Sequence, residues 1–278
     1  MCKKQLLMKI SVIIPSYKPK EYLWQCLDSL CNQTFPKEDY ELILVLNGCK
    51  EPYDSEIRSY IGRHPGVRWN YVQTDEPGVS NARNMALDVA QGEYVTFVDD
   101  DDYVSDCYLD RLFHAASPYQ ISIARPQAFY DETDEIWDKY PIALLYNKYQ
   151  SKQGVPFKEV RKFFSGPCLK LFPKNIIAER RFNTKFKVGE DVLFNYLISD
   201  KIGCIGFTNK NATYYRRFRK DSVLLSHRNK KEKIENNLRL MKELFKIYFS
   251  NPCQYSIVFL FRTCLGLGYS AIMALRIR

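Results

Sequence analysis

Three histidines in 278 residues leave little material for a transition-metal centre, and His64, His114 and His227 share no motif. His227, beside a late basic segment, is the only one placed to approach an anionic group. The nine cysteines stand as singles, with no CxxC pair and no Cys/His cluster, which argues against a zinc module and fits reduced thiols in the cytoplasm. Repeats and low-complexity linkers are missing, and this length suits one principal core. Long uninterrupted apolar runs are scarce. The start, "MCKKQLLMKISVIIPSY", is only brokenly apolar and leads straight into a strand-like stretch, so it does not read as a signal peptide. Residues 255–275 reach the length of about 20 that a membrane span needs, but Arg262 interrupts them, so a buried or interfacial helix is expected.

What is present is an ordinary globular composition, 46% apolar and 26% charged, with an excess of basic residues. Forty-one Lys and Arg against 32 Asp and Glu give a net charge of +9, which suits an anionic partner: phosphate, nucleic acid or an acidic membrane surface.

The first hundred residues alternate between short apolar runs and amphipathic stretches. Strands are predicted at 10–15, 40–46, 67–73 and 93–98, and helices at 21–33, 54–63 and 79–91. This order predicts an α/β fold, a Rossmann-like, mostly parallel sheet with flanking helices. Ligands bind such sheets beyond the carboxyl ends of the strands, so "PSY", "NG" and "DDDD" are expected to face one crevice. Further on, "CYLDRLFHAAS" and "GEDVLFNYLIS" read as helices, "ISIARPQAFY" and "ATYYRRFR" as extended chain, and 229–249 as a basic helix, while 131–165 is aromatic but poorly patterned.

The sharpest feature is "EYVTFVDDDDYV". A buried-type strand runs into four consecutive carboxylates, Asp99 to Asp102, whose mutual repulsion calls for positive charge. Charge runs often decorate solvated loops. At a strand end, however, carboxylates suit a hard divalent cation such as Mg²⁺ or Mn²⁺, which takes one or two of them and fills its shell with substrate phosphates. An EF-hand is excluded, because the sixth and twelfth positions counted from Asp99 are Val104 and Asp110, not Gly and Glu.

Three segments, "SVIIPSYKPKEYLWQCLDSLCNQTF", "EPGVSNARNMALDVAQGEYVTFVDDDDYV" and "GEDVLFNYLI", together resemble the inverting nucleotide-sugar glycosyltransferases of family 2, with the GT-A fold, over about residues 10–225. The resemblance implies transfer of a sugar from a nucleotide diphosphate, usually a UDP-sugar, to an acceptor hydroxyl, with Mg²⁺ or Mn²⁺ at an Asp-x-Asp motif on Asp99 and Asp101. It further implies that Pro15 and Tyr17 border the nucleobase, that Arg83 reaches the nucleotide, that Asp99 or Asp100 touches ribose and metal, and that Asp101 is the principal metal ligand. Asp191 of "GED" matches the catalytic base, with Glu190 beside it; the bland alternative is that both acids cap a helix. Gly166 and Lys170 of "SGPCLKLF" match the acceptor side, with structural packing the equal alternative. Arg217, Arg219 and Ser222 match a basic segment that folds over the diphosphate. One departure stands out. The family's "DDGS" after the second strand is "LNGC" here, so Asn47 replaces a carboxylate that would accept from uracil; its amide oxygen still accepts while its NH₂ donates, leaving base selectivity open.

The implied organisation is a GT-A domain over 1–225, with a nucleotide-binding half at about 10–105 and an acceptor half at about 106–225, followed by a C-terminal extension of basic and apolar helices over 226–278. A cytoplasmic enzyme is expected, peripheral on the inner face of a membrane through its C-terminus, acting on a carbohydrate or lipid-linked acceptor in surface polysaccharide or glycolipid synthesis. A sugar nucleotidylyltransferase would need a Gly-rich basic loop where this chain has "PSYKPK". A nucleic-acid-binding protein would need a recognition helix or an aromatic RNA-reading motif, and neither is seen.

Overall fold

The computed structural model describes residues 8–219 and 230–276. In chain order the elements are β1 (Ile10–Ser16), α1 (Tyr22–Cys31), β2 (Tyr40–Asn47), α2 (Tyr53–Arg63), β3 (Arg68–Thr74), α3 (Val79–Val89), β4 (Tyr94–Phe97), β5 (Tyr103–Val104) and α4 (Tyr108–Ala115). They continue with β6 (Gln120–Ile123), β7 (Arg125–Tyr130), α5 (Pro141–Asn147), β8 (Val155–Pro156), α6 (Phe157–Val160), β9 (Lys170–Pro173), α7 (Lys174–Ile177), α8 (Glu190–Leu197), β10 (Cys204–Phe207), β11 (Thr213–Phe218), α9 (Lys230–Ser250) and α10 (Ile257–Arg276).

Eight strands form the main sheet in the order β3-β2-β1-β4-β9-β6-β10-β8. The first half of the sheet, β3-β2-β1-β4, is parallel throughout, as the alternating sequence predicts. β1 and β2 are buried at every position, which explains why they read as continuous apolar runs. One face of the sheet packs Leu23, Leu27 and Ile57 of α1 and α2 against Val12 and Leu44. The other packs α3, α8 and both C-terminal helices against Ile13, Ile43 and Phe97, with Leu240, Leu244, Phe259 and Leu260 fully inside.

Two features depart from the simple alternating plan. β9 is inserted antiparallel between β4 and β6. A second, three-stranded sheet, β5-β11-β7, stands beyond the main one and carries the late basic segment. It pairs β11 parallel to β7 and antiparallel to β5, bringing residues 213–218 beside the turn that follows β4.

Candidate active site

The acidic quartet lies where the central parallel strands end: Val98 still donates to the Ile13 carbonyl, and a turn closed by Asp102 N to Asp99 O (3.1 Å) follows at once. Each carboxylate then goes its own way. Asp99 meets the Arg83 guanidinium at 2.9 Å, Asp100 accepts from the Ser16 hydroxyl at 2.6 Å, and Asp101 meets Arg219 at 2.6 Å. Asp102 accepts from the Tyr214 hydroxyl at 2.6 Å and from the Arg217 backbone N–H at 2.8 Å. The positive charge demanded by the sequence is therefore guanidinium, drawn from α3 and from the β11 segment.

Neutralisation is incomplete. Burial, then the charge of Asp101, pushes the Asp100 carboxyl up to about 7. Burial and Asp99 raise Asp101, and burial with Asp101 holds Asp102 well above the carboxylate range. Asp102, 4% exposed, ties the quartet to the second sheet and is not open to a ligand. The side chains of Asp99 and Asp101 remain 40% and 20% exposed. Among the described residues no group of three or more His, Cys, Asp or Glu side chains forms a complete metal cage. Two open carboxylates separated by one residue nevertheless suit a hard cation that shares its shell with a diphosphate. The residues fit such an ion, Asp101 and Asp99 being the quartet's side chains whose exposure leaves them open to it.

Arg83 joins this turn to the second acidic motif. It is 4% exposed, not a surface helix arginine, and rests over the Phe182 ring at 5.3 Å. Its Nη2 reaches Asp99 while its Nη1 lies 3.4 Å from Glu190, and among the described residues its Nε has no partner. Glu190 and Asp191 open α8, where acidic residues complement the helix N-terminus. The preceding Gly189 has φ +87°, and a Cβ there would meet Leu240 of α9 at 2.5 Å, so only glycine allows this turn to pack against α9. Burial, then Asp191, pushes Glu190 up to about 7. Burial also raises the more open Asp191, whose Oδ1 accepts from the Val192 N–H at 2.8 Å. A Cβ on Gly166 would stand 3.6 Å from the other Asp191 oxygen, so the segment expected on the acceptor side does border this carboxylate.

Lys170 follows the packing alternative. It is 1% exposed and donates to the Gly166 and Cys168 carbonyls at 2.7 and 2.8 Å. Burial lowers its ammonium to about 7. Its role is to hold the 166–168 segment from beneath. Asn47 is likewise withdrawn from the crevice: it is 2% exposed, its NH₂ donates to the Ser16 carbonyl at 2.7 Å, and its oxygen accepts from Gly78 N at 2.8 Å. Both ends of the amide are spent on the chain, pinning the end of β1 to the start of α3. Pro15 is buried within β1 opposite Val45. Tyr17, by contrast, is half exposed at the lip and lies so close over Gly48 that a Cβ there would sit 2.6 Å from the ring. It is not a packed core aromatic.

Arg217 donates to the Asp101 carbonyl at 2.8 Å and also engages Asp131 and Gln25, while Arg219 donates to the Tyr22 hydroxyl at 3.1 Å. Both therefore reach back to α1. Ser222 and His227 lie outside the described residues. The sequence reading passes over Ser16, Tyr22, Tyr214 and Arg216. Only the alternation along "TYYRRF" could have signalled that Arg216 and Arg217 point to opposite faces.

The family described as "Glycosyl transferase family 2" matches residues 11–181. A poly(ribitol-phosphate) beta-glucosyltransferase of Bacillus spizizenii is 29% identical over 79% of this chain, and the match covers 34% of that protein. Glycosyltransferase GlyG of Streptococcus pneumoniae is 27% identical over 75% of this chain and 70% of its own length. The chain thus spans about a third of the first of these relatives. In structure it resembles S. aureus TarS 1–349, with a TM-score of 0.72 at 20% identity over 95% of this chain and 72% of the other. A second likeness is the mannosyltransferase PcManGT of Pyrobaculum calidifontis, solved with GDP-Man and Mn²⁺, with a TM-score of 0.64 at 17% identity over 96% of this chain and 72% of that one. These likenesses bear on the fold, which is GT-A. With the match to residues 11–181 covering more than half of its 278 residues, the chain belongs to glycosyl transferase family 2.

Proposed function

We propose that this chain is an inverting glycosyltransferase that moves a sugar, of hexose type, from a nucleotide diphosphate to an acceptor hydroxyl with the help of Mg²⁺ or Mn²⁺. The observation that carries the reading is the reach of Arg83, which touches Asp99 of the quartet and Glu190 beside Asp191, so the donor-side and acceptor-side acids form one site.

In this reading Tyr17 lines the base at the lip of the crevice, and Pro15 and Asn47 shape the floor beneath it. Asp101 and Asp99 hold the divalent ion, which supplies charge neutralisation to the diphosphate, and Asp100 lies against the ribose side. Asp191 takes the proton of the acceptor hydroxyl as its oxygen bonds to the anomeric carbon, opposite the breaking bond to the diphosphate oxygen. Its raised affinity for a proton, caused by burial, suits that task. Arg217 and Arg219 supply cationic donors for the charge that grows on the leaving group.

UDP is the leading donor nucleotide, supported by the related TarS domain, which has been solved with UDP and with UDP-GlcNAc. Relatives include poly(ribitol-phosphate) glycosyltransferases and a Campylobacter jejuni enzyme acting on an undecaprenol-linked saccharide, which favours a surface polymer or a lipid-linked glycan as the acceptor class. None of the described helices is long and apolar enough to cross a membrane. α10 instead leaves Val258, Phe261, Leu265, Tyr269 and Ile272 exposed along one stripe, beside the basic α9. That pairing supports peripheral contact with anionic lipid.

The test is a screen of nucleotide-sugars with Mg²⁺ or Mn²⁺, following nucleotide release and protection against heat. Metal-dependent consumption of one donor class supports the reading. Indifference to every nucleotide-sugar would sink it.

A further inference from the structure

β11 divides its basic residues between two faces. Side chains alternate along a strand, so Arg217 and Phe218 point oppositely. The odd face goes to the donor half: Arg217 and, just beyond the strand, Arg219 engage Gln25 and Tyr22 of α1. The even face carries Tyr214, Arg216 and Phe218. Tyr214 is buried at its foot, with its hydroxyl on Asp102 and accepting from Asp99 N at 3.3 Å. Arg216 stands two residues up the same face, about 6–7 Å along the strand. It therefore flanks the crevice on the side away from α1.

The surroundings of Arg216 differ from those of its neighbours. Arg83, Arg217 and Arg219 each hold a carboxylate. Among the described residues Arg216 has no acidic side chain at ion-pair distance; it donates to the Tyr140 hydroxyl at 3.2 Å and lies over the Phe218 ring at 5.4 Å. Trp137 completes a shelf, 5.3 Å from Tyr140 and 5.1 Å edge-on from Phe218, with Tyr130 at its outer end, 39% exposed. Asp102 and Asp99 act on Arg216 only at longer range. A half-buried guanidinium whose fork meets no carboxylate among the described residues, set among aromatic faces, is suited to an oxyanion carried on a sugar or polyol: the fork takes the oxyanion and the rings take the C–H faces.

We propose that Arg216, with Trp137, Tyr140 and Phe218, is an acceptor subsite that selects an acceptor bearing an oxyanion, phosphate or carboxylate, close to the hydroxyl that is glycosylated. The assignment rests on the glycosyltransferase reading above. Its rival is that Arg216 serves the donor diphosphate.

The test uses the full chain with UDP and Mg²⁺ saturating, so that the donor side is filled, and titrates four probes by calorimetry: ribitol 5-phosphate, glucuronic acid, and neutral ribitol and glucose. At least one anionic probe is expected to bind better than its neutral counterpart, and the better of the two identifies the oxyanion. Arg216→Gln is expected to weaken that probe roughly 10- to 100-fold, as for loss of a hydrogen bond to a charged group, while UDP affinity is retained. Arg216→Lys, which keeps the charge, is expected to recover part of the preference and controls for folding. Equal binding of neutral and anionic probes, no binding of either anion at millimolar concentration, or an Arg216→Gln variant that keeps the preference overturns the subsite. A loss confined to UDP assigns Arg216 to the donor and overturns it as well. Failure of UDP itself to bind the wild-type chain would instead strike the glycosyltransferase reading beneath it.

Discussion

The guanidinium of Arg219 lies 2.6 Å from the carboxylate of Asp101, the side chain proposed as the principal metal ligand. Part of the charge that a divalent cation would neutralise is already met by the protein, so cation and arginine compete for one carboxylate. Without nucleotide, Mn²⁺ is expected to bind Arg219→Gln more tightly than the wild-type chain. Asp101→Ala is expected to lose both turnover and the metal dependence of UDP binding. Calorimetry with UDP in metal and in excess chelator checks this, and equal wild-type affinity in the two conditions contradicts it.

Asp191→Asn removes the proposed proton acceptor while keeping the side-chain shape. It should fold and bind donor, yet lose transfer by roughly 10²- to 10⁴-fold, the usual share of a general base. Because burial raises the Asp191 carboxyl, the wild-type rate should fall on acidification before the ordinary carboxylate range is reached. A near wild-type Asn variant would move the base to Glu190.

Glu190 gives a stability signature of its own. Its carboxyl is pushed up to about 7, so between its ordinary value and about 7 the folded chain binds the proton more tightly than the unfolded chain. Acidification through that window should therefore stabilise the wild type relative to Glu190→Gln. Thermal melts of both between pH 8 and pH 5, about the span of that window, measure the difference. A melting temperature of the wild type minus that of Glu190→Gln that stays flat, or falls, as pH falls contradicts the burial argument.

Deleting the tail is the wrong way to test membrane contact, because Tyr255, Phe259 and Leu260 are core residues. Substitution on the exposed stripe is the sound test. The full chain should co-sediment with anionic vesicles in a salt-sensitive manner, and Phe261→Asp with Leu265→Asp should weaken that binding while the melting temperature holds. A chain that ignores such vesicles at low salt, or a variant that binds them as before, removes the membrane from the account.

The parallel half of the sheet was legible because β1, β2 and β4, buried at every position, leave unbroken apolar runs, and because the Ser-Tyr segment follows β1 and the acidic segment follows β4. The predicted helix at 21–33 and the observed Tyr22–Cys31 differ only at frayed ends. β9 was hidden: four residues, one of them a buried lysine, do not alternate as a strand should. The small sheet was equally obscure, since β5 has two residues and its pairing with β11 spans more than a hundred positions. Within the quartet, nothing local distinguishes Asp102, which braces Tyr214, from Asp101, which faces the crevice. That difference is made by partners from β11, and periodicity does not report partners.

The most direct test of the central claim follows the anomeric centre. With whichever α-linked nucleotide-sugar the screen selects, and water as the acceptor, proton NMR of the first-formed sugar reports the stereochemistry before mutarotation. The account predicts the β anomer, formed only with metal and lost in Asp191→Asn. An α anomer appearing first, or undiminished release by Asp191→Asn, would contradict it.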